Sequence, residues 1–72
     1  MEKDATLIQF GKKIKNGRHK LGLSQEGLAE RAGLHRTYIG MIERAEKNIT
    51  LKNIKKVAKA LNIKIGKLLE ED

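Results

Sequence analysis

Residues 24–34 read SQEGLAERAGL, and this stretch decides the fold. Ser24 offers a hydroxyl oxygen that can accept a hydrogen bond from the first turn of a helix. Gly33 can adopt a positive φ without steric cost, which suits the residue that follows the last turn of a helix. The stretch therefore predicts a short helix over residues 25–32, bounded by a suitable residue at each end.

A second helical run follows almost at once. Residues 36–44 read RTYIGMIER, in which Ile39 and Ile42 are apolar side chains three positions apart. This spacing places both on one face of a helix. About three residues, including a glycine, separate the two helices, and this arrangement is typical of a helix-turn-helix. Ala29 is small enough for the two helices to cross closely.

A helix is also predicted before this pair, over residues 4–20. Each of its two glycines costs about 0.8–1 kcal/mol relative to alanine unless close packing requires it, so we expect the helix to be soft around Gly17. The apolar side chains with helical spacing are Leu7, Ile8, Phe10, Ile14 and Leu21.

Two helices are predicted after the pair, beyond a polar connection at residues 45–49. Thr50 caps the fourth helix, and Asn62 follows it because asparagine tolerates the left-handed conformation. A fifth, short helix covers residues 65–70. We therefore expect an all-α fold in which one five-helix domain accounts for residues 1–72. The apolar positions of the fourth helix are Leu51, Ile54, Val57, Ala58 and Leu61.

Composition excludes several classes of protein. The chain has 72 residues, of which 39% are hydrophobic, so it can bury only one small core. Because it has no cysteine, a disulfide framework, a thiolate zinc site and thiol catalysis are excluded. The absence of proline, with only one Phe and one Tyr, argues against a β-barrel. No apolar run approaches the roughly 20 residues that span a bilayer, and there is no signal-peptide pattern, so a cytoplasmic location is expected.

Positive charge is distributed unevenly along the chain. Sixteen Lys and Arg against nine Asp and Glu give a net charge of +7, which indicates a polyanionic partner such as nucleic acid or an anionic membrane. Residues 1–23 carry +4, residues 24–46 carry −1, residues 47–69 carry +7 and residues 70–72 carry −3. The helix-turn-helix is thus nearly neutral between basic flanks, as expected where different groups neutralise phosphates and contact bases. The lysines of the fourth helix could equally be its solvated face.

The helix-turn-helix residues resemble those of lambda-repressor-like, or Cro-type, DNA-binding domains. The resemblance rests on LSQEGLA at residues 23–29, AGL at residues 32–34 and YIGMIER at residues 38–44, and it covers residues 7–69. It implies that the third helix enters the major groove while the second crosses the DNA backbone.

Residues 35–44 and 47–50 further resemble the small controller proteins of restriction-modification systems, which consist of little beyond this domain and dimerise. The resemblance implies a sequence-specific transcriptional regulator that binds a palindromic operator as a homodimer. Antitoxins and phage-type repressors use the same domain and are the alternatives. Antitoxins often add a toxin-binding extension, and none is evident here, which favours the controller interpretation.

The resemblance also implies which residues meet DNA. Arg36 is the first choice for reading a base, because its guanidinium can pair bidentately with guanine. Thr37 could instead be a second helix cap, Tyr38 a packed aromatic residue and His35 the cap of the third helix. The expected base contacts are Arg36, Thr37, Tyr38, Gly40, Lys47 and Asn48, although Gly40 lacks the polar side chain more usual in controllers. The expected contacts with the DNA backbone are Ser24, Gln25, His35, Thr50 and Lys52.

Two further sets of residues have structural roles. The resemblance implies that Arg18 of the first helix pairs with Glu43 of the third, a partly buried pair that orients the recognition helix. The chain's last residues carry more apolar surface than one small monomer covers, which predicts a two-fold interface between the fourth and fifth helices. The interface residues are expected to be Ile63, Ile65, Leu68 and Leu69.

No enzyme, metal site or cofactor is expected. His19 and His35 are the only histidines, and neither has the spacing of metal ligands. A membrane surface is disfavoured as a partner because the basic fourth helix has no Trp or Phe to anchor it. The expected partners are double-stranded DNA, a second copy of the chain and RNA polymerase, with no membrane and no small-molecule ligand.

Overall fold

Hydroxyl side chains fix the amino ends of two helices. In the computed structural model, which describes residues 4–70, Ser24 Oγ accepts a hydrogen bond from the backbone N–H of Gly27 at 2.9 Å. Thr50 Oγ1 accepts one from the N–H of Asn53 at 3.2 Å. Each bond satisfies one of the amide groups that the first turn of a helix leaves unpaired. The caps predicted at Ser24 and Thr50 are therefore confirmed.

Five helices are the regular elements of residues 4–70, so the predicted all-α fold is confirmed. Their ends lie within about one residue of the predicted ones. The third helix stops one residue early because Arg44 is its C-cap, and Glu70 is likewise the C-cap of the fifth. The helices are α1 (Ala5–Lys20), α2 (Gln25–Ala32), α3 (Arg36–Glu43), α4 (Leu51–Ala60) and α5 (Ile65–Leu69).

Residues with positive φ end several of the helices. Gly33 has φ of 71° after α2, and Asn62 has φ of 57° after α4, as predicted for both. Ala45 has φ of 59° after α3, a conformation that costs a non-glycine residue roughly 1–2 kcal/mol. Ala45 is also buried, so the connection between α3 and α4 is not wholly polar.

One fully buried side chain from each of the first four helices forms the centre of the core. These side chains are Ile14, Leu28, Ile39 and Val57. α3 packs against α1 and α2, while α4 packs against α2 and α5. Leu51, expected on the apolar face of α4, is 68% exposed at the first position of that helix.

The glycines of α1 permit close packing. A Cβ at Gly11 would lie 2.6 Å from the carbonyl oxygen of Ile42 and 2.8 Å from that of Glu43, so α1 meets the carboxyl end of α3 backbone to backbone. A Cβ at Gly17 would lie 3.1 Å from the Cδ1 of Ile63. Packing therefore requires glycine at position 11, whereas at Gly17 the atoms met are the ends of flexible side chains. α1 continues through Gly17, and the softness expected there stays a prediction.

Candidate nucleic-acid interface

The turn between α2 and α3 presents the amino end of α3 at the surface. The Leu34 N–H donates to the Ala29 carbonyl at 2.9 Å across the end of α2, and Gly33 supplies the left-handed residue that this turn requires. The chain then reverses so that α3 begins at Arg36, three residues after Gly33. His35 stands at the N-cap of α3, as one of its two predicted roles required, although its imidazole makes no capping hydrogen bond.

An open cleft lies between the amino end of α2 and the exposed side of α3, and we refer to it as the α2–α3 cleft. Five of the residues predicted to meet DNA lie along it, together with three further charged residues. Its lining residues are Arg18, Ser24, Gln25, Glu26, Arg36, Thr37, Gly40 and Arg44. The structure therefore brings together predicted base-contacting and backbone-contacting residues from two helices.

Arg36 and Thr37 project from the first turn of α3 into solvent. The Arg36 side chain is 71% exposed, and its Nη1 lies 3.7 Å from Glu26 Oε2. An ion pair so exposed contributes little to stability. Arg36 therefore remains available to place its fork of donors against a guanine edge or a phosphate.

Beneath the cleft, a buried network fixes the carboxyl end of α3. Arg18 donates two hydrogen bonds to the Glu43 carboxylate, from Nε to Oε2 at 2.8 Å and from Nη2 to Oε1 at 3.0 Å. Its Nη1 donates to the Leu23 carbonyl at 3.0 Å, and Gln25 Nε2 donates to Glu43 Oε1 at 3.1 Å. The pair that the resemblance implied is thus formed, and it joins α1, the α1–α2 turn, α2 and α3.

The charges of this network are mutually stabilising. Burial by itself would raise the pKa of the Glu43 carboxyl, but the hydrogen bonds from Arg18 and Gln25 outweigh burial and hold that pKa below its ordinary value. The hydrogen bond to Glu43 raises the pKa of Arg18. Both groups are therefore ionised near neutral pH, and removing either would leave an uncompensated charge in a buried position.

Tyr38 and Lys47 lie together at the junction of α3 and α4. The half-buried Tyr38 packs against the core, and its hydroxyl oxygen accepts a hydrogen bond from Asn53 Nδ2 at 3.2 Å. The Lys47 ammonium lies 5.9 Å from the centre of the Tyr38 ring. The hydroxyl is therefore bonded to protein rather than only to water, and the contact of Tyr38 with DNA stays a prediction.

The remaining predicted contacts lie away from the α2–α3 cleft. Lys47, Thr50 and Lys52 are exposed, and the hydroxyl oxygen of Thr50 is already engaged as a cap. Asn48 is exposed as well, and it lines a shallow, mainly apolar groove beside Phe10. Their roles at DNA stay predictions.

The predicted dimer surface needs a correction. Leu68 is only 3% exposed because it is part of the chain's own core, so its side chain offers almost no apolar surface to a partner. Ile63 and Ile65 are partly buried against the same core, whereas Leu69 is 49% exposed. Of the four predicted interface residues, Leu69 therefore has the most surface to bury.

Sequence reasoning missed Arg44, which lines the α2–α3 cleft at the end of α3 opposite Arg36. The position of Arg44 just after α3 does not by itself indicate that its side chain enters the cleft. The glycine one turn earlier does indicate it, because residues four apart share a helix face and Gly40 leaves that face empty.

Within residues 4–70, no group of three or more His, Asp or Glu side chains could hold a metal ion. None of the helices described is long and apolar enough to cross a membrane.

The sequence that forms these helices matches a known protein family. A family model described as helix-turn-helix matches residues 14–68. The chain belongs to the helix-turn-helix family. This helix-turn-helix protein is a DNA-binding transcriptional regulator.

Relatives of this helix-turn-helix protein are found among both sequences and solved structures. The chain is 54% identical over 56 residues to control protein C.SmaI of Serratia marcescens, a match spanning 78% of this chain and 67% of that one. The restriction-modification controller protein C.AhdI of Aeromonas hydrophila superposes with a TM-score of 0.88 at 45% identity, over 90% of this chain and 98% of that one. The regulator SinR, solved in complex with DNA, superposes with a TM-score of 0.81 at 34% identity, over 85% of this chain and 98% of that one.

Proposed function

We propose that this protein is the controller protein of a restriction-modification system, and that it binds a palindromic operator near its own promoter as a homodimer. The observation that carries the proposal is the similarity to a restriction-modification controller along nearly the whole of both chains. The exposed amino end of α3, with Arg36 and Thr37 beside the α2–α3 cleft, supports the same function.

In this proposal α3 lies in the major groove, and side chains near its amino end read the bases. Arg36 pairs bidentately with the O6 and N7 of a guanine, while Thr37 combines a hydroxyl hydrogen bond with methyl contact to a thymine. The remaining proposed base contacts are Tyr38, Lys47 and Asn48. Gly40, also expected among them, is buried beside Arg44 and Gln25 and has no side chain to present to a base.

Phosphate contacts position the protein without carrying sequence information. Ser24 and Gln25 lie at the amino end of α2, which crosses the DNA backbone in this class of domain. Gln25 already donates to Glu43, so a phosphate held by the same amide would couple DNA binding to the buried network. The other proposed backbone contacts are His35, Thr50 and Lys52.

A two-fold dimer would place two copies of α3 in successive major grooves about 34–36 Å apart, roughly one helical turn of DNA. The proposed interface is formed by α4 and α5, with Leu69 as its most exposed apolar residue and with Ile63 and Ile65 beside it. Sedimentation of a monomer at tens of micromolar, roughly the range expected for a small interface, would contradict this part of the proposal.

Regulation would follow protein concentration. One dimer on the operator helps RNA polymerase start transcription, and a second dimer on an adjacent site stops it. Such a circuit delays the endonuclease until methylation has protected the host DNA.

A footprinting titration on the DNA upstream of the gene tests the proposal. We expect a palindromic footprint that appears at low protein concentration, followed by an adjacent footprint at higher concentration. A scrambled duplex of the same length is the control. Protection at a single site at all concentrations, in a gene neighbourhood with a toxin or phage genes and no methyltransferase, would favour an antitoxin or phage-type repressor instead.

A further inference from the structure

The side chain of Arg44 occupies the space that Gly40 leaves on α3. A Cβ at position 40 would lie 2.9 Å from Arg44 Nη1 and 3.4 Å from Gln25 Oε1. Because residues 40 and 44 are one helical turn apart, they share a face, and the guanidinium of Arg44 folds back along that face. Any side chain at position 40 would displace it.

This conformation brings Arg44 into the α2–α3 cleft. The cleft is thus lined by an arginine from each end of α3, Arg36 at the amino end and Arg44 at the carboxyl end. The Arg44 side chain is 53% exposed, and its Nε lies 3.0 Å from Glu46 Oε2. The hydrogen bond to Glu46 raises the pKa of Arg44, so the cleft contains a permanent positive charge that can still reach a ligand in solvent.

We propose that Arg44 is a further DNA-contacting residue, that it binds the phosphate backbone, and that Gly40 is required because it leaves room for the guanidinium. The inference rests on the proposed function. Arg44 lies beside Gln25 at the end of α2 that crosses the DNA backbone, whereas base edges are read from the amino end of the recognition helix. A guanidinium also matches the geometry of phosphate oxygens.

A purely structural role for Arg44 makes a different prediction. A cation at the carboxyl end of a helix interacts favourably with the helix dipole, and the contact with Glu46 adds a surface ion pair. Both effects would appear in the melting temperature and would leave DNA binding unchanged. DNA binding is therefore the measurement that separates the two roles.

The test is a double-mutant cycle of Gly40→Ala and Arg44→Ala, measured on the upstream operator fragment and on a random duplex of equal length at several salt concentrations. We expect Arg44→Ala to weaken binding to both duplexes by the same factor, roughly three- to tenfold, and to lower the salt slope by about 1. Gly40→Ala should weaken binding similarly in the wild-type background. It should cause no further loss when Arg44 is already alanine.

Controls separate this effect from misfolding and from general loss of charge. Alanine favours helix more than glycine, and the atom it would crowd at position 40 is the far end of a flexible side chain, so Gly40→Ala should melt no lower than wild type. Arg31→Ala removes an exposed arginine of α2 that does not line the cleft, and it should bind both duplexes as the wild type does. If Gly40→Ala fails to fold, the proposal is decided by Arg44→Ala alone, against Arg31→Ala.

Three results would overturn the proposal. The first is an Arg44→Ala protein that binds both duplexes like wild type. The second is an Arg44→Ala protein that loses affinity only for the operator, which would make Arg44 a base reader. A Gly40→Ala change that weakens the Arg44→Ala protein further would show that position 40 acts independently of Arg44. A wild-type protein that binds neither duplex would instead overturn the proposed function, so the two failures are distinguishable.

Discussion

The two ends of α3 are held in opposite ways. At its carboxyl end, Gly11 of α1 meets the backbone of α3 directly, and Arg18 and Gln25 bind the Glu43 carboxylate. At its amino end, Arg36 and Thr37 are exposed, and no side chain caps the helix. The difference teaches that the buried contacts at one end of this eight-residue helix set its orientation, while the side chains at the other end are free to read bases. Substitutions in the buried contacts and at the amino end should therefore affect different measurements.

The largest expected effect is the loss of stability in Arg18→Ala. The substitution leaves Glu43 buried without its partner, which costs about 3–5 kcal/mol in the free energy of unfolding. Thermal melting followed by circular dichroism measures the loss. Arg31→Ala, which removes an exposed arginine, should change stability by less than about 0.5 kcal/mol. An Arg18→Ala protein that melts with the wild type would contradict the assigned role of the pair.

The pH dependence of stability in the wild type and in Arg18→Ala tests the role of the pair further. Because the pKa of Glu43 is lower in the folded state than in the unfolded one, its contribution to stability is present above the ordinary carboxyl pKa and is lost as pH falls through the lowered value. In Arg18→Ala, the arginine no longer offsets the effect of burial on the Glu43 pKa, so lowering the pH should reduce the stability of that variant less than that of the wild type. We expect the difference in melting temperature between the two proteins to shrink as pH falls. A constant difference would contradict the assignment.

Gly11→Ala should have the next largest effect. The added methyl group would lie 2.6 Å and 2.8 Å from two backbone carbonyl oxygens of α3, which cannot move as a side chain can. We expect a loss of about 1–3 kcal/mol in unfolding free energy, together with weaker operator binding because α3 shifts. Gly66→Ala is the matched control, since a Cβ there meets nothing within 4 Å. Equal melting temperatures for the two variants would show that the contact between α1 and α3 is loose.

The smallest expected effect is that of Tyr38→Phe. It removes the hydroxyl that accepts a hydrogen bond from Asn53 and joins α3 to α4, which should cost about 0.5–1.5 kcal/mol in unfolding free energy. Denaturant unfolding measures the loss, and Asn53→Ala should remove the same bond. If the two losses simply add in the double variant, the hydrogen bond does not contribute. Operator binding by Tyr38→Phe also tests the predicted contact of Tyr38 with DNA.

Local signals in the sequence predicted the helices well. Ser24, Thr50, Gly33 and Asn62 act on the residues next to them, so their roles could be read without knowing the fold. Ala45 adopts the same left-handed conformation as Asn62, yet alanine has no preference for it, so nothing in the sequence indicated that turn.

Contacts between distant residues could not be predicted in the same way. The periodicity of α4 placed Leu51 on the apolar face but could not show that its side chain stays 68% exposed. The apolar residues at the end of the chain did not distinguish Leu68, which is buried in the core, from Leu69, which is exposed. Only the structure shows the hydrogen bond between Tyr38 and Asn53, because it depends on how α3 and α4 are placed relative to each other. The same holds for the side-chain conformation that places Arg44 beside Gly40.

The most direct test of the account is the behaviour of Arg36→Ala in melting and in DNA binding. Arg36 is exposed at the free end of α3, so the melting temperature should stay within error of wild type. Binding to the operator should weaken by about 1–3 kcal/mol, while binding to random DNA should barely change. Equal losses on both duplexes, or a marked fall in melting temperature, would contradict the claim that one end of α3 sets its orientation and the other reads the sequence.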